Sequence, residues 1–153
     1  MAKAPVVGDQ APPFELESTL GPVRLQDFLA RGPVLLVFYP GDDTPVCTKQ
    51  LCDYSDNLDV FSDLAVQVLG INGQSLESHQ KFEAAHEFGF PLLSDPGGGT
   101  CDAYGARGLF GITKRTLVLI AGDGRVLYSK TDFPMFRRTA AELKRVLAER
   151  LRA

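Results

Sequence analysis

Apolar residues recur along this chain with two periods, and the places where the period changes mark its elements. Phe14 and Leu16, then Val23 and Leu25, alternate with polar neighbours on either side of a Gly-Pro turn signal within 19–22, which predicts a small N-terminal β-hairpin. Val34 to Tyr39 is an unbroken β-branched and aromatic run between Pro33 and Pro40, the pattern of a central strand buried on both faces. Thr44-Pro45 reads as a helix start, with Thr as N-cap, Pro at the first helical position, and Val46, Leu51, Leu58 and Phe61 as a buried stripe. Val66 to Ile71 predicts the next strand. Ser75 caps a helix carrying Leu76, Phe82, Ala85 and Phe88 that ends near Gly89, and Thr116–Ile120 with Val126–Ser129 flank the hairpin signal Asp123-Gly124. Thr139 with Glu142 is a capping box opening a helix whose apolar side is Leu143, Val146, Leu147 and Leu151. Strand, helix, strand, helix, hairpin and helix predict an α/β fold, a central mixed β-sheet with helices on both faces.

A chain of 153 residues falls within the ~100–200 of one domain, so residues 1–153 are expected to form a single unit. Apolar residues are 44% and charged ones 23%, close to the soluble globular average of ~45–50% and ~25%, which argues against disorder and fibrous repeats. The stretch DPGGGT at 95–100 is the one compositional oddity and is short enough to be a surface loop. Sixteen Lys and Arg against nineteen Asp and Glu leave a net charge of −3, no field for nucleic-acid phosphates. The longest apolar run, 34–39, is far below the ~20 residues of a membrane span. The opening MAKAPVVGDQ carries no secretory apolar stretch, so a cytoplasmic location is expected. In a reducing compartment three cysteines argue against a structural disulfide framework, and the chemistry turns on the thiols.

Counted from Thr44, Cys47 occupies the third helical position, from which a side chain reaches back toward the helix start. That end offers unpaired N–H groups and about half a positive charge, which favour thiolate over thiol, and the Thr44 hydroxyl can donate to the sulfur or to an oxygen beside it. A small buried hydrophobe would occupy the same place equally well. Cys52 follows five residues on. In an ideal helix their Cα atoms lie ~8.7 Å apart, beyond the ~7 Å limit of a disulfide. The two thiols can therefore link only if the first turns unwind, and the spacing is also compatible with two unconnected thiols.

Other thiol chemistries fail on spacing. No Cys-x-x-Cys is present, the place of a phosphatase-loop arginine holds Asp53, and zinc would need more than Cys47, Cys52, Cys101, His79 and His86 supply in close pairs. The two histidines, seven apart on a predicted helix, are expected to be solvated.

The run Phe38-Tyr39-Pro40-Gly41-Asp42-Asp43-Thr44-Pro45-Val46-Cys47-Thr48 resembles the peroxiredoxin active-site motif Pro-x-x-x-Thr-x-x-Cys behind its usual apolar strand. The likeness extends from the opening segment through Leu69–Asn72, Leu92–Asp95, Tyr104-Gly105 and Arg115–Ile120 to the last helix, and Cys52 is similar to the second thiol of the Q-type, or bacterioferritin-comigratory, subfamily. The resemblance implies a thioredoxin-like fold and a thiol peroxidase for hydrogen peroxide and organic hydroperoxides, with no metal or organic cofactor and with thioredoxin or a similar dithiol as reductant. It implies that Cys47 is the peroxidatic cysteine, whose thiolate attacks the O–O bond, and Cys52 the resolving cysteine, which condenses with the sulfenic acid to an intramolecular disulfide. A resolving thiol in the same helix removes the need for a partner subunit, so a monomer is expected.

Arg115 matches the family's arginine, whose permanent charge stabilises thiolate and developing oxyanion; without the resemblance it reads as a solvated strand entry. Pro40 shapes the loop and shields Cys47, or merely ends the strand. Gln50 supports the pocket or lies on the surface. Asp42 and Asp43 stand where negative charge opposes a thiolate unless solvent screens it. Cys101 is expected to be a bystander rather than an alternative resolving thiol, and Phe133–Phe136 to pack in the core. Two rival functions stay open at this point: a disulfide reductase or isomerase on the same fold, and a redox-sensing module in which Cys47 oxidation changes a partner surface.

Overall fold

The computed structural model describes residues 4–42, 44–133 and 138–152. Among these described residues, seven strands and six α-helices follow in the order β1 (Glu15–Ser18), β2 (Val23–Arg24), α1 (Leu25–Leu29), β3 (Val34–Phe38), α2 (Pro45–Asp56), α3 (Leu58–Ser62), β4 (Gln67–Asn72), α4 (Leu76–His86), β5 (Leu92–Ser94), α5 (Gly99–Ala103), β6 (Thr116–Ile120), β7 (Val126–Thr131) and α6 (Ala140–Arg152). The sheet order is β2-β1-β5-β4-β3-β6-β7. β3 pairs parallel with β4 and β4 with β5, while β6 and the terminal hairpin strands run antiparallel.

The apolar run of β3 is buried because its pleat feeds two cores. Leu35, Val37 and the following Tyr39 join Cys47, Leu51, Tyr54, Phe61, Phe82, Leu143 and Leu147 from α2, α3, α4 and α6 on one face. Val34, Leu36 and Phe38 join Leu25, Cys101 and Tyr104 on the other. Side chains of a strand alternate between faces, so a continuous apolar run is what a strand covered on both sides requires. The mixed sheet with helices on both faces is thus the predicted architecture. The sharp β6–β7 turn also matches: Gly124 has φ +91°, a left-handed conformation that favours glycine.

Four local features differ from the pattern reading. The helix from Pro45 breaks at Asn57 (φ −120°, ψ 38°), whose amide donates to the Asp53 carbonyl at 2.8 Å and to its carboxylate at 3.0 Å; a side chain that competes for backbone acceptors ends helices. Leu58 and Phe61 consequently belong to the separate α3. The segment 95–100 is no plain loop: the buried Asp95 carboxylate accepts from the N–H of Thr100 (3.1 Å) and Cys101 (2.7 Å) and organises a 3-10 turn and α5. α1 and β5 are too short for periodicity to reveal. Phe133 is 83% exposed rather than core, and 134–136 lie outside the described residues, as does Asp43.

Candidate active site

The site forms where β3 ends and α2 begins. Tyr39, the last buried residue of the strand run, hands the chain to Pro40, Gly41 and Asp42, and Pro45 opens α2. Asp42 fixes this loop. Its carboxylate, nearly enclosed, accepts from the Tyr39 hydroxyl (2.6 Å), the Ser78 hydroxyl (2.6 Å) and His79 Nδ1 (2.7 Å), and its backbone N–H donates to Gln74 Oε1. Burial by itself would raise the Asp42 carboxyl, but the hydrogen bonds from His79, Ser78 and Tyr39 outweigh it and hold the group below its ordinary range. The same surroundings, burial first and then the Asp42 charge, push the Tyr39 phenol well up, so it stays a donor.

His79 is fully buried, not solvated as its helix position implied. Its Nε2 faces the Leu93 carbonyl at 2.9 Å and its Nδ1 faces Asp42, so both nitrogens meet oxygen acceptors. Asp42 therefore faces a histidine and two hydroxyls rather than bulk solvent, and those hydrogen bonds, not screening, hold its carboxylate.

Thr44 has the extended backbone of an N-cap, and its carbonyl accepts from Thr48 N–H at 2.8 Å. Its hydroxyl makes no cap bond and donates instead to the Gly41 carbonyl at 3.1 Å. The expected bond to the Cys47 sulfur is thus replaced by one that closes the loop. Thr44, Pro40, Gly41 and Asp42 line an open cleft whose far wall is Phe110, Ile112 and Thr113.

Cys47, in the first turn of α2 beyond this loop, is 1% exposed. Arg115 approaches from the residue preceding β6. Its Nη2 donates to Cys47 Sγ at 3.1 Å and its Nη1 to Gln50 Oε1. At 2% exposure, Arg115 is not the solvated strand entry that its residue type suggests. Gln50 is likewise buried, one turn after Cys47, and its Nε2 donates to the Tyr54 hydroxyl at 3.2 Å, which in turn donates to the Arg138 carbonyl at 2.7 Å. Burial pushes the Tyr54 phenol up, leaving a neutral group that ties α2 to the segment before α6. The spacing Cys47, Gln50, Tyr54 on one helix face was the available signal for this chain of contacts, whereas nothing local to Ser78 or His79 announced theirs.

The structure brings Pro40, Thr44, Cys47 and Arg115 together at one helix start. Cys52 lies five residues, about one and a half turns, farther along the intact α2, and Cys47, Cys52 and Cys101 are all free thiols. Cys52 is partly exposed, and its Sγ is 3.7 Å from Nδ1 of His86; burial and then Asp56 raise its thiol. Cys101 belongs to the opposite core, where burial and Asp95 push its thiol up to about 12.

A thioredoxin-like sheet presenting a buried helix-start cysteine to an arginine defines a thiol-redox protein of that fold. The profile described as the AhpC/TSA family matches residues 7–129. A Mycobacterium tuberculosis protein whose description places it with the peroxiredoxins is 38% identical over 125 residues, covering 78% of this chain and 81% of that protein. Peroxiredoxin Q of Sedum lineare chloroplasts is 44% identical over 91 residues, 59% of this chain and 48% of the relative. The crystal structure of peroxidoxin BcpB from Mycobacterium tuberculosis superimposes with a TM-score of 0.84 at 34% identity, covering 97% of each chain. The chain belongs to the AhpC/TSA family and is a peroxiredoxin. It spans about half the length of the Sedum relative and 66% of a Coxiella burnetii one. No helix among the described residues is long and apolar enough to cross a membrane.

Proposed function

We propose that this chain is a thioredoxin-dependent thiol peroxidase that works within residues 1–153 as a single monomeric domain in the cytoplasm. The observation that carries the reading is the Arg115 guanidinium donating to Cys47 Sγ at 3.1 Å in a buried pocket. A permanent cation is the matching partner for a sulfur anion and for the oxygen charge that develops as a peroxide bond breaks. The Cys47 thiolate attacks the terminal oxygen of a hydroperoxide, the O–O bond breaks, and the other oxygen leaves with a proton as water or alcohol while Cys47 becomes a sulfenic acid. Pro40 shapes the loop and shields Cys47 from water, and the Thr44 hydroxyl, now on the Gly41 carbonyl, can turn to an oxygen bound beside the sulfur. The apolar wall of Phe110 and Ile112 supports organic hydroperoxides as substrates beside hydrogen peroxide.

Cys52 then attacks the sulfenic sulfur to give an intramolecular disulfide, which a dithiol reductant of the thioredoxin type reopens. With ~8.7 Å between positions five apart in a helix, α2 must loosen at its start, and the loosened turn exposes the disulfide to the reductant. Burial of Cys101 in the opposite core supports its role as a bystander.

The test is a coupled assay with thioredoxin, its reductase and NADPH, together with mass-spectrometric mapping after one equivalent of peroxide. Wild type consumes peroxide steadily and yields a Cys47–Cys52 linked peptide. Cys47→Ser is inactive, and Cys52→Ser reduces one peroxide per chain without thioredoxin-driven turnover. Undiminished turnover in Cys47→Ser overturns the reading.

A further inference from the structure

The contact between Cys52 and His86 lies outside the peroxide pocket and has its own chemistry. Cys52 is held in a setting that keeps its proton on: burial and then the Asp56 carboxylate one turn later on α2 both raise the thiol. A protonated thiol is a poor nucleophile, so the attack on the sulfenic acid calls for a proton acceptor within reach of Cys52 Sγ. Across from it α4 presents the imidazole of its last residue, with Nδ1 3.7 Å from that sulfur. The ring is fixed by edge contact with Phe82 (centroids 5.3 Å) and stacking on Phe88 (5.5 Å). The negative end of the α4 dipole favours a cation there once the proton has moved.

We propose that His86 is the general base of the resolving step, an assignment that rests on the reading of Cys47 and Cys52 above. Cys52 S–H gives its proton to His86 Nδ1. The Cys52 sulfur forms the S–S bond to the Cys47 sulfur, the S–O bond of the sulfenic acid breaks, and the departing hydroxide takes a proton from the imidazolium to leave as water. The Cys52 sulfur is oxidised and the sulfenic sulfur reduced, so no further oxidant is needed. The pair survives the loosening of the helix start because the far half of α2 is tied down separately: Gly89 N–H donates to Ser55 Oγ at 3.1 Å and Ala140 N–H to Asp53 Oδ2 at 2.8 Å. The charged neighbour of the pair on α2 is Asp56, and on the α4 side the imidazole packs against both phenyl rings, which also touch each other (centroids 4.9 Å).

The experiment is quenched-flow oxidation with one equivalent of hydrogen peroxide, thiol blocking and mass spectrometry, on wild type and His86→Asn from pH 5 to 9. General bases contribute ~10²–10⁴-fold, so disulfide formation in His86→Asn is expected to slow at least tenfold relative to sulfenic acid formation. Its pH profile is expected to move to the alkaline side, and added imidazole to restore part of the rate. An unchanged ratio of the two steps overturns the proposal. So does a slower step with the wild-type pH profile and no imidazole rescue, which is the signature of a structural role. If wild type itself forms no Cys47–Cys52 link, the parent reading fails and the proposal with it; a wild-type link with an unaffected variant removes His86 alone.

Discussion

Arg115 Nη2 stands 3.1 Å from Cys47 Sγ although 68 positions separate the two in the chain. Both are buried, and a guanidinium taken out of water is retained at such a site only where hydrogen bonds and a countercharge offset its desolvation. Arg115→Met is therefore expected to slow the first peroxide step by ~10²–10³-fold, the usual loss for one donor at a developing oxyanion. Arg115→Lys recovers only part, because a compact ammonium cannot hold Gln50 and Cys47 together. Single-turnover peroxide consumption measures both, and a Met variant within threefold of wild type would remove the electrostatic role.

Gln50 couples that arginine to Tyr54. Replacing it by Leu leaves buried polar groups short of a partner, a loss of about 1–3 kcal/mol, and lets the guanidinium drift from the sulfur. In a double-mutant cycle with Arg115→Met, the effects on the peroxide step should be non-additive by more than about 0.5 kcal/mol. Strict additivity would show that the two residues act separately.

The Asp42–His79 pair, with side chains 3% and 0% exposed and 2.7 Å between them, secures the loop that carries Thr44. Replacing the carboxylate by an amide leaves the buried Tyr39 and His79 groups and the Ser78 hydroxyl short of an acceptor, a loss of about 1–3 kcal/mol, seen in Asp42→Asn as a lower urea midpoint at unchanged slope. Because Asp42 is held below its ordinary value, its contribution is present above the unfolded value of ~3.9 and is lost as pH falls through the lower folded value. The wild-type advantage over Asp42→Asn should thus persist down to about pH 4 and shrink below it; an advantage that grew with acid would contradict the assignment.

Oxidation should loosen the start of α2. After one equivalent of peroxide, amide exchange at 47–51 is expected to accelerate in wild type and to stay slow in Cys52→Ser, where no bridge forms. Equal protection in both proteins would mean that the bridge forms without unwinding.

Cys101 should be inert. A thiol pushed up to about 12 is ionised to about one part in ten thousand at pH 8, so iodoacetamide should label native Cys101 far more slowly than the unfolded chain. Cys101→Ala should leave thioredoxin-driven turnover intact, and loss of turnover would identify it as a second resolving thiol.

The elements that proved legible were those with a local cause. The apolar run at Val34, the Thr44-Pro45 helix start, the Ser75 cap and the Thr139–Glu142 box each act over a few residues, so the order of strands and helices, and the cysteine at a helix start, could be read directly from the chain. The partners of that cysteine could not. Arg115 and Gln50 belong to residue types that are usually exposed, and His79 looked like a solvated helix residue; all three are buried because β6 and α4 pack against the β3–α2 junction, which brings 42 beside 79 and 47 beside 115. The amino-acid order determined which residue carries the sulfur and which helix end receives it. Only the folded arrangement decided which charges and hydrogen bonds surround that sulfur, since contacts across many tens of residues depend on how layers stack rather than on any periodicity along the chain.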